Sequence, residues 1–117
     1  MPARILLLDD EPAVQAFVSR VLEEAGYAVD ALTDTLTALE AIQDGQYALV
    51  ITNSVMQGPN GAKLVARMRR LYPALPVLHL DDQSHPRVPE FPADVPTLTK
   101  PFHNDELLDT VRTLAGW

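Results

Sequence analysis

The chain has 117 residues and a formal net charge of −7, and 47% of its residues are hydrophobic against 21% charged. This balance predicts one globular domain, residues 1–117, with no length left for a second. The acidic excess argues against a nucleic-acid partner, which needs a clustered Lys/Arg surface. Cysteine is absent, which excludes thiol chemistry. No apolar run approaches the ~20 residues of a membrane helix, and no signal-peptide pattern begins the chain, so a cytoplasmic protein is expected.

The first third of the chain predicts two strands around a helix. The apolar residues 5–8, closed by Asp9 and Asp10, are typical of a strand covered on both faces. Pro12 suits the first turn of a helix that Gly26 ends, and residues 27–31 predict a second strand. The apolar stripe of this helix consists of Val14, Phe17, Val18, Val21, Leu22 and Ala25.

The middle of the chain continues the alternation. Thr35 offers an N-cap hydroxyl to a helix that Gly45 ends. Residues 47–52 form the strongest predicted strand, which we expect at the centre of a sheet. A third helix follows the turn-rich residues 53–61 and stops before Pro73. Its apolar positions are Leu64, Val65, Met68 and Leu71.

The last third predicts two strands and one helix. Residues 77–80 form the fourth strand, and residues 95–99 the fifth, which Pro96 restricts to a sheet edge. Asn104 and Asp105 provide a cap and negative charge at the start of the final helix. Strands alternating with helices predict an α/β domain with a parallel sheet and right-handed crossovers.

One helix of this alternation is missing between residues 82 and 94. The segment contains Pro86, Pro89 and Pro92. Each interior proline costs a helix about 3 kcal/mol, so a proline-rich loop is predicted in place of the fourth helix.

Polar residues follow the strands at the edge where a doubly wound sheet binds its ligands. Asp9 and Asp10 follow the first strand, Asn53 the third, Asp81 the fourth and Lys100 the fifth. Paired carboxylates suit Mg²⁺. A lysine opposite them suits phosphate oxygens or an ion pair.

Three segments resemble the signatures of response-regulator receiver domains, the CheY-like superfamily. They are residues 7–12 (LLDDEP), residues 49–56 (LVITNSVM) running into Gly61, and residues 98–102 (LTKPF), in order along the whole chain. The resemblance implies a doubly wound, flavodoxin-like α/β sandwich with a five-stranded parallel sheet in order 2-1-3-4-5, and here a proline-rich loop for the fourth helix. It also implies a magnesium-binding acidic pocket and phosphoryl transfer from a histidine kinase.

The resemblance also assigns roles to single residues. It implies that Asp9, Asp10 and the backbone carbonyl of Val55 hold a metal and that Lys100 contacts the phosphoryl group. Asn53 stands where the family has its phosphoacceptor aspartate. A neutral amide has no anionic oxygen with which to form an acyl phosphate, so we expect the family reaction to fail.

Further departures affect the switch. Asp81 stands where the family has a hydroxyl residue, and Thr97 where it has an aromatic one. Mg²⁺ could still bind, weakened by the loss of a carboxylate at Asn53. We expect Lys100 to pair with Asp9, Asp10 or Asp81. The histidines are assigned structural or surface roles: His79, His85 and His103.

These features predict a phosphorylation-independent pseudo-receiver, not an enzyme, that binds a histidine kinase or a downstream signalling protein. The binding surface is the first helix, or strand five with the last helix, and the protein is a monomer or weak homodimer that contacts neither nucleic acid nor membrane. Two alternatives remain. One is a phosphoacceptor that uses Asp9, Asp10, Asp81 or Asp82, or in which Asn53 is an engineered replacement of aspartate. The other is a sensor of a small molecule or ion in the acidic crevice.

Overall fold

A computed structural model describes residues 3–9, 11–33, 35–44, 47–53, 61–81, 95–99 and 102–116. At residues 35, 36, 39, 44, 53, 61–65 and 81 it describes the backbone alone. The predicted loop in place of a fourth helix, residues 82–94, lies outside the described residues.

Five strands form one parallel sheet in the order β2-β1-β3-β4-β5. This order confirms the doubly wound α/β fold. The strands are β1 (Arg4–Leu8), β2 (Ala28–Leu32), β3 (Leu49–Asn53), β4 (Val77–Asp81) and β5 (Thr97–Thr99). The described helices are α1 (Pro12–Glu24), α2 (Thr35–Asp44), α3 (Gly61–Leu71) and α4 (Asn104–Ala115).

The core consists of two apolar layers, one on each face of the sheet. In β1, Ile5 and Leu7 belong to the layer shared with α1 and α4, while Leu6 and Leu8 belong to the layer shared with α2 and α3. All four are fully buried. Because alternate residues of a strand point to opposite faces, a continuous apolar run is what a strand covered on both faces requires, as predicted.

The proline and glycine predicted to bound the first helix are confirmed, while two predicted caps are wrong and Gly45, the predicted end of the second helix, lies outside the described residues. Pro12 is the first residue of α1, and Gly26 follows its end with φ of 101°. Thr35 is the first helical residue of α2 and not its N-cap. Asn104 likewise lies inside α4: His103 has the extended backbone of an N-cap, and its N–H donates to Glu106 Oε1 at 3.2 Å.

Strand boundaries differ from the predictions by one or two residues. β2 begins at Ala28, and β3 begins at Leu49, the first residue of its segment that pairs with β1. β5 is confirmed as an edge strand but begins at Thr97. Pro96 precedes it and uses its carbonyl to accept a hydrogen bond from His79 N–H at 2.9 Å.

Three residues assigned to buried helix faces are exposed, among them Ala25, which follows the end of α1. Phe17 of α1 is 45% exposed and Leu71 of α3 is 56% exposed. Leu71 is the final residue of its helix, where the chain turns towards Pro73. The face that α1 buries carries Val18, Val21 and Leu22. Among the described helices, none combines the length and apolar character needed to cross a membrane.

Candidate functional site at the carboxyl ends of the strands

The sheet register brings the ends of β1, β3 and β4 to one edge. Leu8 lies opposite Thr52, and Asn53 lies opposite Leu80. Asp9 directly follows Leu8, and Asp81 directly follows Leu80. Three of the predicted site positions, Asp9, Asn53 and Asp81, therefore share this edge.

Asp9 is fully buried although it is a carboxylate. Its Oδ1 accepts a hydrogen bond from the backbone N–H of Glu11 at 2.9 Å, and its own N–H donates to Leu32 O at 3.2 Å. Buried carboxylates are retained where hydrogen bonds or cations stabilise the charge. Asp9 is thus fixed between the end of β1 and the start of α1.

Gln15 holds this corner together, and the sequence reasoning missed it. Its Nε2 donates to Asp9 O at 3.2 Å and to Leu32 O at 3.0 Å, which ties α1 to the ends of β1 and β2. A glutamine inside a helix carries no pattern that distinguishes this role from an ordinary exposed position, so no sequence signal could have found it.

The remaining predicted site residues are described only in part. Asn53 ends β3 and Asp81 ends β4, by their backbones alone. Asp10, Val55 and Lys100 lie outside the described residues, and so does the predicted ion pair of Lys100. Within the described part of the chain, no three His, Asp or Glu side chains form a group that could hold a metal.

Thr97, the predicted switch position, connects β5 to β4. Its Oγ1 lies 3.4 Å from Nδ1 of His79 and 3.3 Å from the carbonyl of Val95, to which it donates. His79 is buried, at 3% exposure, while His103 is the N-cap residue that precedes α4. Both positions fit the structural or surface roles predicted for these histidines, and His85 lies outside the described residues.

Comparison with known proteins decides the family. The family model for the response regulator receiver domain matches residues 5–112. The chain is a receiver domain of the response-regulator family. Receiver domains typically bind Mg²⁺ in their acidic pocket and interact with histidine kinases and output domains. They are signalling modules of two-component systems.

Relatives of different lengths resemble this receiver domain. The transcriptional regulatory protein TcrA of Mycobacterium tuberculosis is 35% identical over 96% of the chain, but the match covers 46% of TcrA. The chain therefore spans about half the length of that relative. The response regulator receiver protein CpdR of Brucella abortus is 28% identical, with 95% of each chain covered.

Solved structures agree with the fold. A response regulator receiver protein from Sinorhizobium medicae superposes with a TM-score of 0.85 at 26% identity, covering 98% of this chain and 95% of that one. The receiver domain of NtrX from Brucella abortus gives 0.85 at 26% identity, covering 96% and 98%.

Proposed function

We propose that this receiver domain signals by binding a partner protein and does not accept a phosphoryl group. The observation that carries the proposal is the identity of Asn53, the last residue of β3. It ends the strand that pairs with β1, one position beyond the pair of Leu8 and Thr52, at the edge where Asp9 is buried. A carboxylate oxygen at this position can attack phosphorus, whereas the amide has no anionic oxygen to do so.

Magnesium binding fits the oxygen donors of the site but is weakened. The buried carboxylate of Asp9 is the hard ligand that Mg²⁺ prefers. Asp10 and the carbonyl of Val55 would be further oxygen ligands. Replacing a carboxylate by Asn53 removes one negative charge from the set. The ion, when bound, supplies charge neutralisation for phosphate oxygens, which a chain that accepts no phosphoryl group does not use.

The partner surface that we propose lies on α1 and at the start of α4. Phe17 is 45% exposed, and its ring lies 6.5 Å from that of the half-buried Phe102. An exposed aromatic pair is the kind of anchor that protein interfaces use. The helix that follows Phe102, α4, carries three exposed carboxylates: Asp105, Glu106 and Asp109. A partner with an apolar residue beside lysines or arginines complements this surface.

The proposal also covers the oligomeric state, the cellular location and the activity of the chain, and the ion pair of Lys100. Residues 5–112, which match the receiver-domain model, act as one domain, as a monomer or weak homodimer in the cytoplasm, without turnover chemistry and without direct contact to nucleic acid or membrane. Lys100 pairs with Asp9, Asp10 or Asp81 and holds the pocket in one conformation.

Trifluoroberyllate tests the proposal, because this anion adds to a carboxylate oxygen as a phosphoryl group does. Amide NMR spectra would be recorded with Mg²⁺, with and without the anion, for the chain and for Asn53→Asp. The spectrum of the chain should not change, and that of Asn53→Asp should change around the ends of β3 and β4. Anion-dependent shifts in the unsubstituted chain would show that another carboxylate, such as Asp9 or Asp81, accepts the group, and would overturn the proposal.

A further inference from the structure

A cavity of about 810 Å³ opens at the N-terminal edge of the sheet, the edge opposite Asp9. It is lined by the segments that precede β3 and β4 and by the last turns of α2 and α4. The side chains that define it are Ile42, Tyr47, Tyr72, Leu75, Leu114 and Ala115.

The cavity lies where the two apolar layers of the core reach the edge of the sheet. Tyr47, Tyr72 and Leu75 pack against the layer shared with α2 and α3. Leu114 and Ala115 pack against the layer shared with α1 and α4. All five are only half-buried, so each has apolar surface that the described residues leave uncovered.

Backbone hydrogen bonds fix the rim of the cavity. Ala48 N–H donates to Arg4 O at 2.8 Å, and Val50 N–H donates to Pro76 O at 3.0 Å. These two bonds attach the segments before β3 and β4 to the sheet. A second proline in the rim, Pro73, restricts the backbone further. A site with fixed walls loses little conformational entropy when a ligand binds.

Side-chain contacts fix the aromatic wall. The hydroxyl of Tyr47 donates to Asp30 Oδ2 at 2.8 Å, and the same oxygen lies 3.2 Å from Arg4 Nε. Arg4 also lies over the Tyr47 ring, with its guanidinium carbon 6.0 Å from the ring centroid. The ring of Tyr47 is thus held in place from outside the cavity.

We propose that this cavity binds an uncharged aromatic molecule. Its volume lies within the ~300–1,000 Å³ of small-molecule sites. Among the described residues that line it, none has a charged side chain, and the polar side chains are Gln43 and the two tyrosines. Burying an unpaired charge of either sign there is costly, while aromatic rings pack favourably against tyrosine. The site is independent of the pocket around Asn53.

A smaller neighbouring cavity would favour a different ligand, one that carries a negative charge. It measures about 190 Å³, shares Pro73, Leu75, Pro76 and Leu114 with the first, and includes Arg69. A ligand with an aromatic body and a carboxylate could use both cavities. Three indole compounds separate these cases, because they share one ring system and differ in charge: indole, tryptamine and indole-3-acetate.

The measurement is a titration of the chain with each compound at neutral pH, followed by amide NMR and by the melting temperature. Indole should shift the amides of Tyr47, Ala48 and Leu75 and raise the melting temperature. Both charged analogues should bind at least about tenfold more weakly, because their charge is desolvated without a partner. No saturable binding of indole, or tighter binding of indole-3-acetate, would overturn the proposal.

Two matched substitutions localise the binding. Ala115 lines the cavity and precedes Gly116, whose φ is 72°, while the exposed Ala25 precedes Gly26, whose φ is 101°. Ala115→Phe should fill the cavity and abolish the indole shifts, whereas Ala25→Phe should keep them. Should Ala115→Phe not fold, Ala74→Phe blocks the same rim from its exposed side. Indole shifts that survive both cavity substitutions would overturn the proposal. It would also be overturned if the same amides shifted with protein concentration in the absence of indole, because a second copy of the chain would then occupy the cavity.

Discussion

The rings of Phe17 and Phe102 lie 6.5 Å apart, centroid to centroid, with their planes inclined by 44°. The contact joins α1 to the residues just before α4 at the surface that we propose for partner binding. Tilted aromatic pairs contribute about 0.5–1.5 kcal/mol beyond the area they bury. A double-mutant cycle of Phe17→Ala and Phe102→Ala, measured by urea unfolding, should therefore give a coupling free energy near the lower end of that range, because Phe17 is partly exposed.

The control for this cycle is Phe102→Ala combined with Leu71→Ala. Leu71 is also exposed but lies on α3, on the other face of the sheet, so this pair should show additive free energies of unfolding. A coupling of Phe17 with Phe102 no larger than that of the control pair would mean that the rings do not interact in solution.

Gln15 should contribute measurably to stability although it lies in a helix at the surface. Gln15→Ala leaves the carbonyls of Asp9 and Leu32 without its two hydrogen bonds. We expect a loss of about 1–2 kcal/mol in the free energy of unfolding. Gln43→Ala in α2 is the matched control, with an expected change within about 0.5 kcal/mol. Equal effects of the two substitutions would argue against the role assigned to Gln15.

Tyr47 should make the stability depend on alkaline pH. Burial, and then the hydrogen bond to Asp30, raise the pKa of Tyr47 from 10.0 to about 12. The folded chain thus favours the protonated hydroxyl, and its contribution to stability is complete below pH 10 and is lost as the pH rises through 12. The chain should be more stable than Tyr47→Phe at neutral pH, by about 1 kcal/mol, and this difference should vanish across that interval. A ζ-carbon NMR titration that gives a pKa near 10 for Tyr47 would contradict the assignment.

Magnesium affinity should rise when the lost carboxylate is restored. Asn53→Asp adds one negative charge beside Asp9, and oxygen ligands with charge strengthen binding of a divalent cation. Calorimetry should show at least about tenfold tighter Mg²⁺ binding in Asn53→Asp than in the chain itself. Asn104→Asp adds the same charge at the exposed start of α4 and should leave the affinity unchanged. Equal affinities of the chain and Asn53→Asp would place the metal away from β3.

The sequence predicted the sheet and its edge strand because apolar runs, prolines and glycines act locally. Residues 5–8 are apolar on both faces and became a central strand, and Pro96 restricts β5 to the edge. Interactions between distant segments escaped prediction. The bonds of Gln15 to Leu32 and of Tyr47 to Asp30 each join residues 17 positions apart, and the ring of Phe17 in α1 contacts that of Phe102, which follows β5.

The site was predictable in position but not in detail. Parallel strands bring Asp9, Asn53 and Asp81 to one edge, as their order in the sequence indicated. That Asp9 is completely buried and bonded to Glu11 N–H depends on how α1 leaves the sheet. The cavity beside Tyr47 and Tyr72 has no sequence motif, since its wall comes from four separate segments.

Intact-mass analysis after treatment with acetyl phosphate and Mg²⁺ tests the central claim most directly. The chain and Asn53→Asp would be treated side by side, with Asn104→Asp as the control for an added carboxylate. We predict that the chain and the control gain no phosphoryl group, because an amide at residue 53 cannot form an acyl phosphate. A phosphoryl mass on the unsubstituted chain would contradict the account and identify this receiver domain as a phosphoacceptor that uses another aspartate.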